Sequence, residues 1–220
     1  MPELSRQNIS AIQLDAIGAV ILAAGPSTRM GTPKQLLEFC GKTLLRRTAL
    51  VALEASCRPV VVVTGANAAA SMECVHELDV REVENQQWLS GISSSVRTGI
   101  EELMTVNPAA KAAVMMLCDQ PLVTSEIILG LIRAHRETNC SIVASRYANS
   151  YGVPALFDRT HFAELRGLKG DQGAKAIITR HLHQARLLPF PDGDIDIDTP
   201  DDLARLQSLG RSVSDVRPLS

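Results

Sequence analysis

Four short, continuous apolar runs divide the chain, and amphipathic stretches lie between them. The apolar runs cover residues 18–24, 59–64, 112–118 and 140–145, and the first is bounded by glycines. Runs of this length are typical of strands that are buried on both faces of a parallel sheet. The pattern therefore predicts four strands, of which the last is the weakest.

Apolar residues recur at helical spacing in the stretches that separate the runs. These stretches cover 43–56, 94–104 and 125–137, and Thr124 is a candidate N-cap for the third. Strands that alternate with helices of this length predict βαβ crossovers. We therefore expect an α/β fold with a mostly parallel sheet that helices cover on both faces.

One domain accounts for most of the chain. We expect it to span residues 17–210, with a polar extension at 1–16 and a tail at 211–220. No internal repeat, low-complexity tract or linker interrupts this span. A domain of about this size buries roughly 70% of its unfolded surface, so it needs no disulfide support.

Composition and charge limit the kind of core and the classes of partner that this domain can have. Aromatic residues make up only 3% of the chain, so Val, Ile, Leu and Ala must build the core. The net charge of −2 argues against a broad electrostatic contact with nucleic acid or an anionic membrane. The sequence contains neither a membrane-spanning apolar run nor the order of a signal peptide, so we expect a cytoplasmic protein.

Cysteine and histidine residues receive no chemical role. The five cysteines form no C-x-x-C pair and are expected to be small buried residues in a reducing compartment. The five histidines lie in helix-like stretches and are expected to be surface or core residues. The sequence therefore predicts neither a zinc site nor a disulfide framework.

The segment Leu22–Leu37 carries the clearest chemistry. It follows the first strand directly and exceeds the length of about two to six residues that is usual for such connections. Gly25 and Gly31 permit positive φ and let backbone N–H groups approach an anion. Arg29 offers a planar fork for phosphate oxygens, and Lys34 offers a mobile point charge. The segment predicts a triphosphate-binding loop, and an ordinary solvated connection is the alternative.

Two other phosphate-binding motifs do not fit the sequence. The GKT at 41–43 is similar to the end of a Walker A loop, but its leading glycine would fall at Leu36. The dinucleotide motif G-x-G-x-x-G is absent, because the next glycine after Gly25 comes six residues later. A Rossmann-type dehydrogenase is therefore disfavoured.

Acidic residues occupy two positions that suit a metal. Asp119 ends the third apolar run, and a carboxylate at the carboxyl end of a buried strand is well placed to hold Mg²⁺. Asp194, Asp196 and Asp198 alternate with isoleucines, so they share one face and repel one another without a cation or solvent. The alternatives are a loop-capping aspartate and a solvated edge strand.

Three further segments offer polar or anion-receptive groups. Gly91 and the serines that follow it, including Ser95, precede an amphipathic helix, although N-capping alone is the alternative for one serine. Gly152 and Pro154 suit a shaped turn. Residues Gly170–Gly173 suit a tight loop that opens a helix.

The pattern L-A-A-G-x-S-x-R-M-G-x-P-K-x-L-L resembles the MobA-like NTP transferases, in particular the molybdenum cofactor cytidylyltransferases. It is also similar to the methylerythritol phosphate cytidylyltransferases. The resemblance covers about residues 18–209 and includes the motifs C-D-Q-P, K-G-D-Q-G-A and D-I-D-T-P-x-D-L. It implies a single-domain, Rossmann-like three-layer sandwich of the nucleotide-diphospho-sugar transferase type. It also implies transfer of a nucleoside monophosphate from an NTP to a phosphorylated acceptor such as molybdopterin.

The resemblance also assigns roles to residues. It implies that Arg29 and Lys34 act on the phosphates. It implies that Mg²⁺ is bound by Asp119 together with Asp198 or, as second choice, Asp196. The implied nucleotide contacts are Leu22, Ala23, Ala24, Gly25, Gly91 and Ser95. The implied acceptor contacts are Gly152, Pro154, Gly170, Asp171 and Gly173.

Two residues bear on the identity of the substrates. Ala24 matches the A-A-G form of cytidine-using relatives, which favours CTP. Val153 stands where the family usually has histidine, so the acceptor contact of that histidine is not predicted here. An isoprenoid-precursor or sugar phosphate is the alternative acceptor, and a nucleotide-binding module without catalysis is a further alternative. A molybdoenzyme or its chaperone is the implied protein partner.

Overall fold

A seven-stranded sheet forms the centre of the computed structural model, which describes residues 17–26, 33–147, 150–193, 195, 197 and 202. The strands, including a separate two-stranded hairpin, are β1 (Ile17–Leu22), β2 (Glu38–Phe39), β3 (Lys42–Thr43), β4 (Val60–Thr64), β5 (Arg81–Glu84), β6 (Ala112–Leu117), β7 (Ile142–Tyr147), β8 (Ser150–Asp158) and β9 (Arg186–Pro189). The helices are α1 (Leu44–Glu54), α2 (Ala68–Glu73), α3 (Ile92–Val106), α4 (Ser125–Thr138), α5 (Phe162–Arg166) and α6 (Lys175–Arg180). Short 3₁₀ turns lie at Lys34–Leu36, Trp88–Ser90 and Arg159–His161.

The strand order in the sheet is β5-β4-β1-β6-β8-β7-β9. β1 lies between β4 and β6 and pairs with both in parallel. β8 is antiparallel to its neighbours β6 and β7. The prediction of a mostly parallel α/β sheet is confirmed, and the four predicted strands correspond to β1, β4, β6 and β7.

The two faces of the sheet pack against different helices. In β1, Ala19 and Ile21 join a core cluster with α1 and α4 residues, whereas Val20 and Leu22 join a second cluster with α3, α5 and α6 residues. Successive side chains of a strand point to opposite faces, which explains this division. The result is the predicted three-layer arrangement. None of the described helices has the length and apolar character needed to cross a membrane.

Gly152 and Pro154 do not form the predicted turn, because both lie within β8. The pairing with β7 passes from Ala144 opposite Ala155 to Ser145 opposite Gly152, so the ladder is irregular at this point. A bulge tolerates proline, which has no N–H to donate to a neighbouring strand. The Ser145 hydroxyl donates to the Pro154 carbonyl at 2.7 Å and so replaces part of the lost pairing.

Helix α3 lies very close to the sheet at Gly99. A Cβ atom at this position would overlap Val20 Cγ1 and lie 2.9 Å from Val63 Cγ2. Only a residue without a side chain permits this approach. Gly130 in α4 provides a contrast, since its nearest neighbour for a built Cβ is Leu188 Cδ1 at 3.9 Å.

We predict opposite effects of one substitution at these two glycines. Gly99→Ala should lower the free energy of unfolding by about 1–3 kcal/mol through overpacking. Gly130→Ala should raise it by up to about 1 kcal/mol, because alanine loses less backbone entropy in a helix. Urea unfolding followed by circular dichroism measures both values, and equal shifts for the two variants would contradict the packing described.

Candidate active site

The carboxyl ends of β1, β4 and β6 meet at one edge of the sheet. Because these strands are parallel neighbours, the chain segments that leave them lie side by side. The segments begin after Leu22, Thr64 and Leu117. Ligands of α/β sheets bind beyond such an edge. Two predicted groups of residues, Ala23–Gly25 and Asp119, lie here.

The predicted phosphate-binding lysine lies beside the predicted metal-binding aspartate. Lys34 Nζ is 3.4 Å from Asp119 Oδ2, and the two side chains are 18% and 23% exposed. The pair is thus partly buried at the edge of the sheet. The pair matters for binding. The Lys34 ammonium group and a divalent cation would compete for the Asp119 carboxylate, and a phosphate group would attract both cations.

The acidic segment around Ile197 is joined to Asp119 by a backbone hydrogen bond. The N–H of buried Ile197 donates to the carbonyl of Asp119 at 3.1 Å. Asp194, Asp196 and Asp198 lie outside the described residues, so the choice between Asp198 and Asp196 as metal ligand stays a prediction. The contact nevertheless places Ile197, which lies between Asp196 and Asp198 in the sequence, next to Asp119.

The first loop is described on either side of residues 27–32. Arg29 and Gly31 therefore lie outside the described residues, and their predicted roles are untested. Gly25 does not use the positive φ that glycine permits, since the described glycines with positive φ are Gly41, Gly91 and Gly170. Gly25 is exposed, and a side chain built on it would meet no atom of the described residues within 4 Å. Its relevant property is the open space beside its backbone.

Gly65, directly after β4, is a site residue that the sequence pattern did not predict. A Cβ atom there would lie 2.7 Å from the Ala24 carbonyl oxygen and 3.0 Å from Trp88 Cβ. The next residue, Ala66, donates its N–H to that same Ala24 carbonyl at 3.2 Å. Gly65 thus lets the end of β4 hold the backbone of the first loop. A glycine directly after a buried apolar run was the available signal.

The serines at the start of α3 form a buried polar network. Asn85 Nδ2 donates to Ser94 Oγ at 2.7 Å and to Ser95 Oγ at 3.0 Å. The Ser94 hydroxyl has carbonyl acceptors in Gln87 and Gly91 at 3.0 and 2.8 Å. Ser95 is only 4% exposed, so these hydroxyls position the backbone before α3. The predicted nucleotide contact of Ser95 is untested.

Residues predicted for two different substrates lie in direct contact. Gly91 has φ of 101°, and a Cβ there would overlap the backbone of Gly170 and lie 2.8 Å from Asp171 Oδ1. Ser93 N–H donates to the Gly170 carbonyl at 3.1 Å. The Ser93 amide at the start of α3 therefore bonds to the protein backbone and not to a ligand. Arg97 of α3 strengthens this attachment, because it donates to the Arg166 and Leu168 carbonyls in the segment before Gly170.

The other predicted acceptor residues connect to the metal side of the site. A Cβ atom at Gly152 would overlap the Tyr147 hydroxyl, and one at Gly193 would lie 2.5 Å from Tyr147 Cδ1. Gln120, the neighbour of Asp119, donates from Nε2 to the Gly193 carbonyl at 3.0 Å. Tyr147 and Gly193 thus link the β8 bulge to the segment after β6.

The cysteines differ from the sequence prediction. Cys57 and Cys118 are buried as expected, but Cys40 is exposed and the remaining two, Cys74 and Cys140, are half-buried. Cys40 has φ of 51° and lies in the turn of the hairpin between β2 and β3, where its side chain faces solvent. Burial raises the pKa of the Cys118 thiol, and the Asp119 charge raises it further. Cys118 is therefore a protonated core residue and not a nucleophile at the site.

Comparison with known proteins gives the context of this site. Residues 19–185 match the MobA-like NTP transferase domain. The chain is 31% identical over 202 residues to nicotine blue oxidoreductase of Paenarthrobacter nicotinovorans, covering 88% of this chain and 97% of that protein. It is 28% identical to the purine catabolism protein PucB of Bacillus subtilis, covering 83% and 92%. It is 25% identical to a probable molybdenum cofactor guanylyltransferase of Opitutus terrae, covering 78% and 82%.

Solved structures share the fold. The structure of Rv0371c from Mycobacterium tuberculosis H37Rv is 34% identical, with a TM-score of 0.76, and covers 88% of this chain and 98% of that chain. A complex of Rv0371C with manganese has a TM-score of 0.70 at 33% identity, with coverage of 88% and 98%. The likeness therefore covers most of this chain.

Proposed function

Since the chain belongs to the MobA-like NTP transferase family, we propose that it transfers CMP from CTP to a phosphorylated acceptor of the molybdopterin class. Pyrophosphate is the second product. The observation that carries this proposal is the contact between Lys34 and Asp119 at the carboxyl edge of the sheet. It joins a phosphate-binding cation to a metal-binding carboxylate, which nucleotidyl transfer needs together.

The donor atoms at Asp119 fit a hard divalent cation. Carboxylate oxygens are the protein ligands that Mg²⁺ prefers, with phosphate oxygens and water completing its coordination. Asp198, or else Asp196, is the second ligand in this proposal, supported by the hydrogen bond from Ile197 to Asp119. A bound Mg²⁺ or Mn²⁺ neutralises phosphate charge. The manganese complex of a relative supports a divalent metal and leaves either ion eligible.

The chemical step places one oxygen on phosphorus and removes another. A phosphate oxygen of the acceptor attacks the α-phosphorus of CTP, and the bond from that phosphorus to the bridging oxygen breaks, which releases pyrophosphate. Such in-line transfer depends on positioning and charge stabilisation more than on a protein nucleophile. Lys34 and Arg29 supply positive charge for the leaving pyrophosphate. The protonated thiol of Cys118 has no part in this step.

The two substrates occupy neighbouring parts of the sheet edge. The backbone of Leu22–Gly25 receives the nucleotide, supported by the open space beside Gly25. Gly91 and Ser95 border the nucleotide, the latter through the network with Asn85. Gly152, Pro154 and the loop that carries Gly170, Asp171 and Gly173 form the acceptor side. Ala24 supports cytidine, by the resemblance of its A-A-G sequence to cytidine-using relatives.

A pyrophosphate-release screen tests this function. Each of the four NTPs is paired with molybdopterin, an isoprenoid-precursor phosphate and a sugar phosphate, in the presence of Mg²⁺ or Mn²⁺. We expect release with CTP and molybdopterin to exceed that of every other pair. Release with a different pair would keep the transferase and correct its substrates, whereas release with none would contradict the proposed transfer.

An oxidoreductase is a second candidate, because a relative with this name covers most of the chain. The missing G-x-G-x-x-G motif argues against a dinucleotide site of the Rossmann type. Oxidation of NADH or NADPH, followed by absorbance with a quinonoid dye as acceptor, separates the two candidates. Turnover in this assay without pyrophosphate release would favour the oxidoreductase.

Lys34→Ala should lower kcat of the transfer by about a hundredfold or more, since it removes a charge that acts on the phosphates. The fold should persist, because Lys34 lies in a short 3₁₀ turn at the edge of the sheet and its side chain is not part of either hydrophobic core cluster. Lys42→Ala is the matched control, since Lys42 is exposed on the β2–β3 hairpin, and it should retain full activity. Near-normal pyrophosphate release by the Lys34 variant would rule out the assigned role.

Gly25→Ala should separate binding from stability. A methyl group at this position meets no atom in the described part of the chain, so the free energy of unfolding should change by less than about 1 kcal/mol. The same methyl group occupies the space proposed for the nucleotide, so KM for CTP should rise at least about tenfold. An unchanged KM in steady-state kinetics would show that the nucleotide does not approach this backbone.

A further inference from the structure

A second group of ligand-type side chains lies outside the residues assigned to the candidate active site. His161 ends the 3₁₀ turn before α5, Glu164 lies in α5, and His181 follows α6. Their potential ligand atoms all lie within 4.8 Å of one another. No sequence pattern indicates this group, because the residues are brought together by the packing of two short helices.

We propose that His161, Glu164 and His181 bind one Zn²⁺ ion, with a fourth position open to water. Two imidazole nitrogens and one carboxylate oxygen form a donor set typical of zinc and not of magnesium. The site is therefore distinct in chemistry from the oxygen ligands at Asp119. This proposal does not depend on the transferase activity.

The separations of the ligand atoms fit a small tetrahedral site. His161 Nδ1 lies 3.3 Å from Glu164 Oε1, and His181 Nε2 lies 2.9 Å from the same oxygen. Ligands at about 2.0–2.1 Å from zinc in a tetrahedron lie about 3.3 Å apart. The two separations from Oε1 are at or below this value, and all three ligand atoms lie within 4.8 Å of one another, so an ion can enter between them after small shifts of the side chains.

The surroundings of the three residues orient them for binding. The hydroxyl of Ser141 lies 2.9 Å from His161 Nε2, which leaves Nδ1 directed at Glu164. Zinc-bound histidines usually have such a partner on their second nitrogen.

Charge and access are also compatible with a bound ion. Arg180 Nη1 lies 3.6 Å from Glu164 Oε2, which also lies 3.1 Å from His181 Nε2, whereas the contact with His161 uses Oε1. The side chains of His181 and Glu164 are 28% and 36% exposed, so an ion can reach them from solvent. His161, at 9%, forms the buried base of the site.

The ion would join the start of α5 to the end of α6. The loop between these helices contains Gly170, whose carbonyl accepts from Ser93 at the start of α3. Zinc would therefore act as a structural clamp that joins the two helices at the ends of this loop. A catalytic role is not needed for this effect, because binding stabilises the folded chain directly.

Calorimetric titration with Zn²⁺ tests the proposal on the full chain after removal of tags and bound metals. Excess Mg²⁺ is present to occupy oxygen-rich sites. We expect one equivalent of Zn²⁺ to bind, and Tm to rise by about 5 °C at a hundredfold excess over Kd. The absence of stoichiometric binding would overturn the proposal.

Variants locate the bound ion. His181→Gln should weaken Zn²⁺ binding by at least about tenfold and should remove the rise in Tm. His76→Gln is the matched control, because this exposed histidine is also close to a glutamate, with His76 Nδ1 3.9 Å from Glu73 Oε1. It should bind Zn²⁺ as the wild type does. Equal binding by the His181 variant would overturn the assignment.

Asp119→Asn provides a second test of location. Zn²⁺ binding should be unchanged in this variant if His161, Glu164 and His181 hold the ion. Loss of binding in Asp119→Asn with retention in His181→Gln would place the ion at the candidate active site instead and overturn the proposal.

Discussion

The parallel pairing of β1 with β4 and β6 is the constraint on which the rest of the structure depends. These strands are buried on both faces, and a one-residue slip in register would exchange the core positions of Val20 and Ile21. A fixed register also fixes where each strand ends. The groups after β1 and β6 therefore reach the same edge of the sheet.

Contacts between backbone segments then hold the loops at this edge. Ala24 is tied to the end of β4, and Ile197 is tied to Asp119. The network of Asn85 with Ser94 and Ser95 does the same at the start of α3. Most of these contacts involve main-chain atoms or buried hydroxyls, which restrict motion more than long exposed side chains do. The charged groups remain accessible on a positioned backbone, which suits a reaction governed by charge and orientation.

The sequence predicted those parts of the molecule that depend on local pattern. The four strands and the joint location of Lys34 with Asp119 follow from apolar runs and from the rule that ligands bind at carboxyl strand ends. β8 did not follow, because Gly152 and Pro154 are usual in turns and only the bulge with β7 accommodates them. Gly65 was missed for a related reason, since its role depends on a neighbour distant in sequence. Groups assembled by packing, such as that around Glu164, leave no periodic trace.

The contact between Gly91 and Gly170 has a thermodynamic consequence. Whatever shifts one of these backbones must shift or break the other, because the space between them admits no additional atom. If the two substrates bind on opposite sides of this contact, each alters the free energy of the other's binding by the same amount. Cooperativity between donor and acceptor would then arise from a pair of glycines that contacts neither reacting atom.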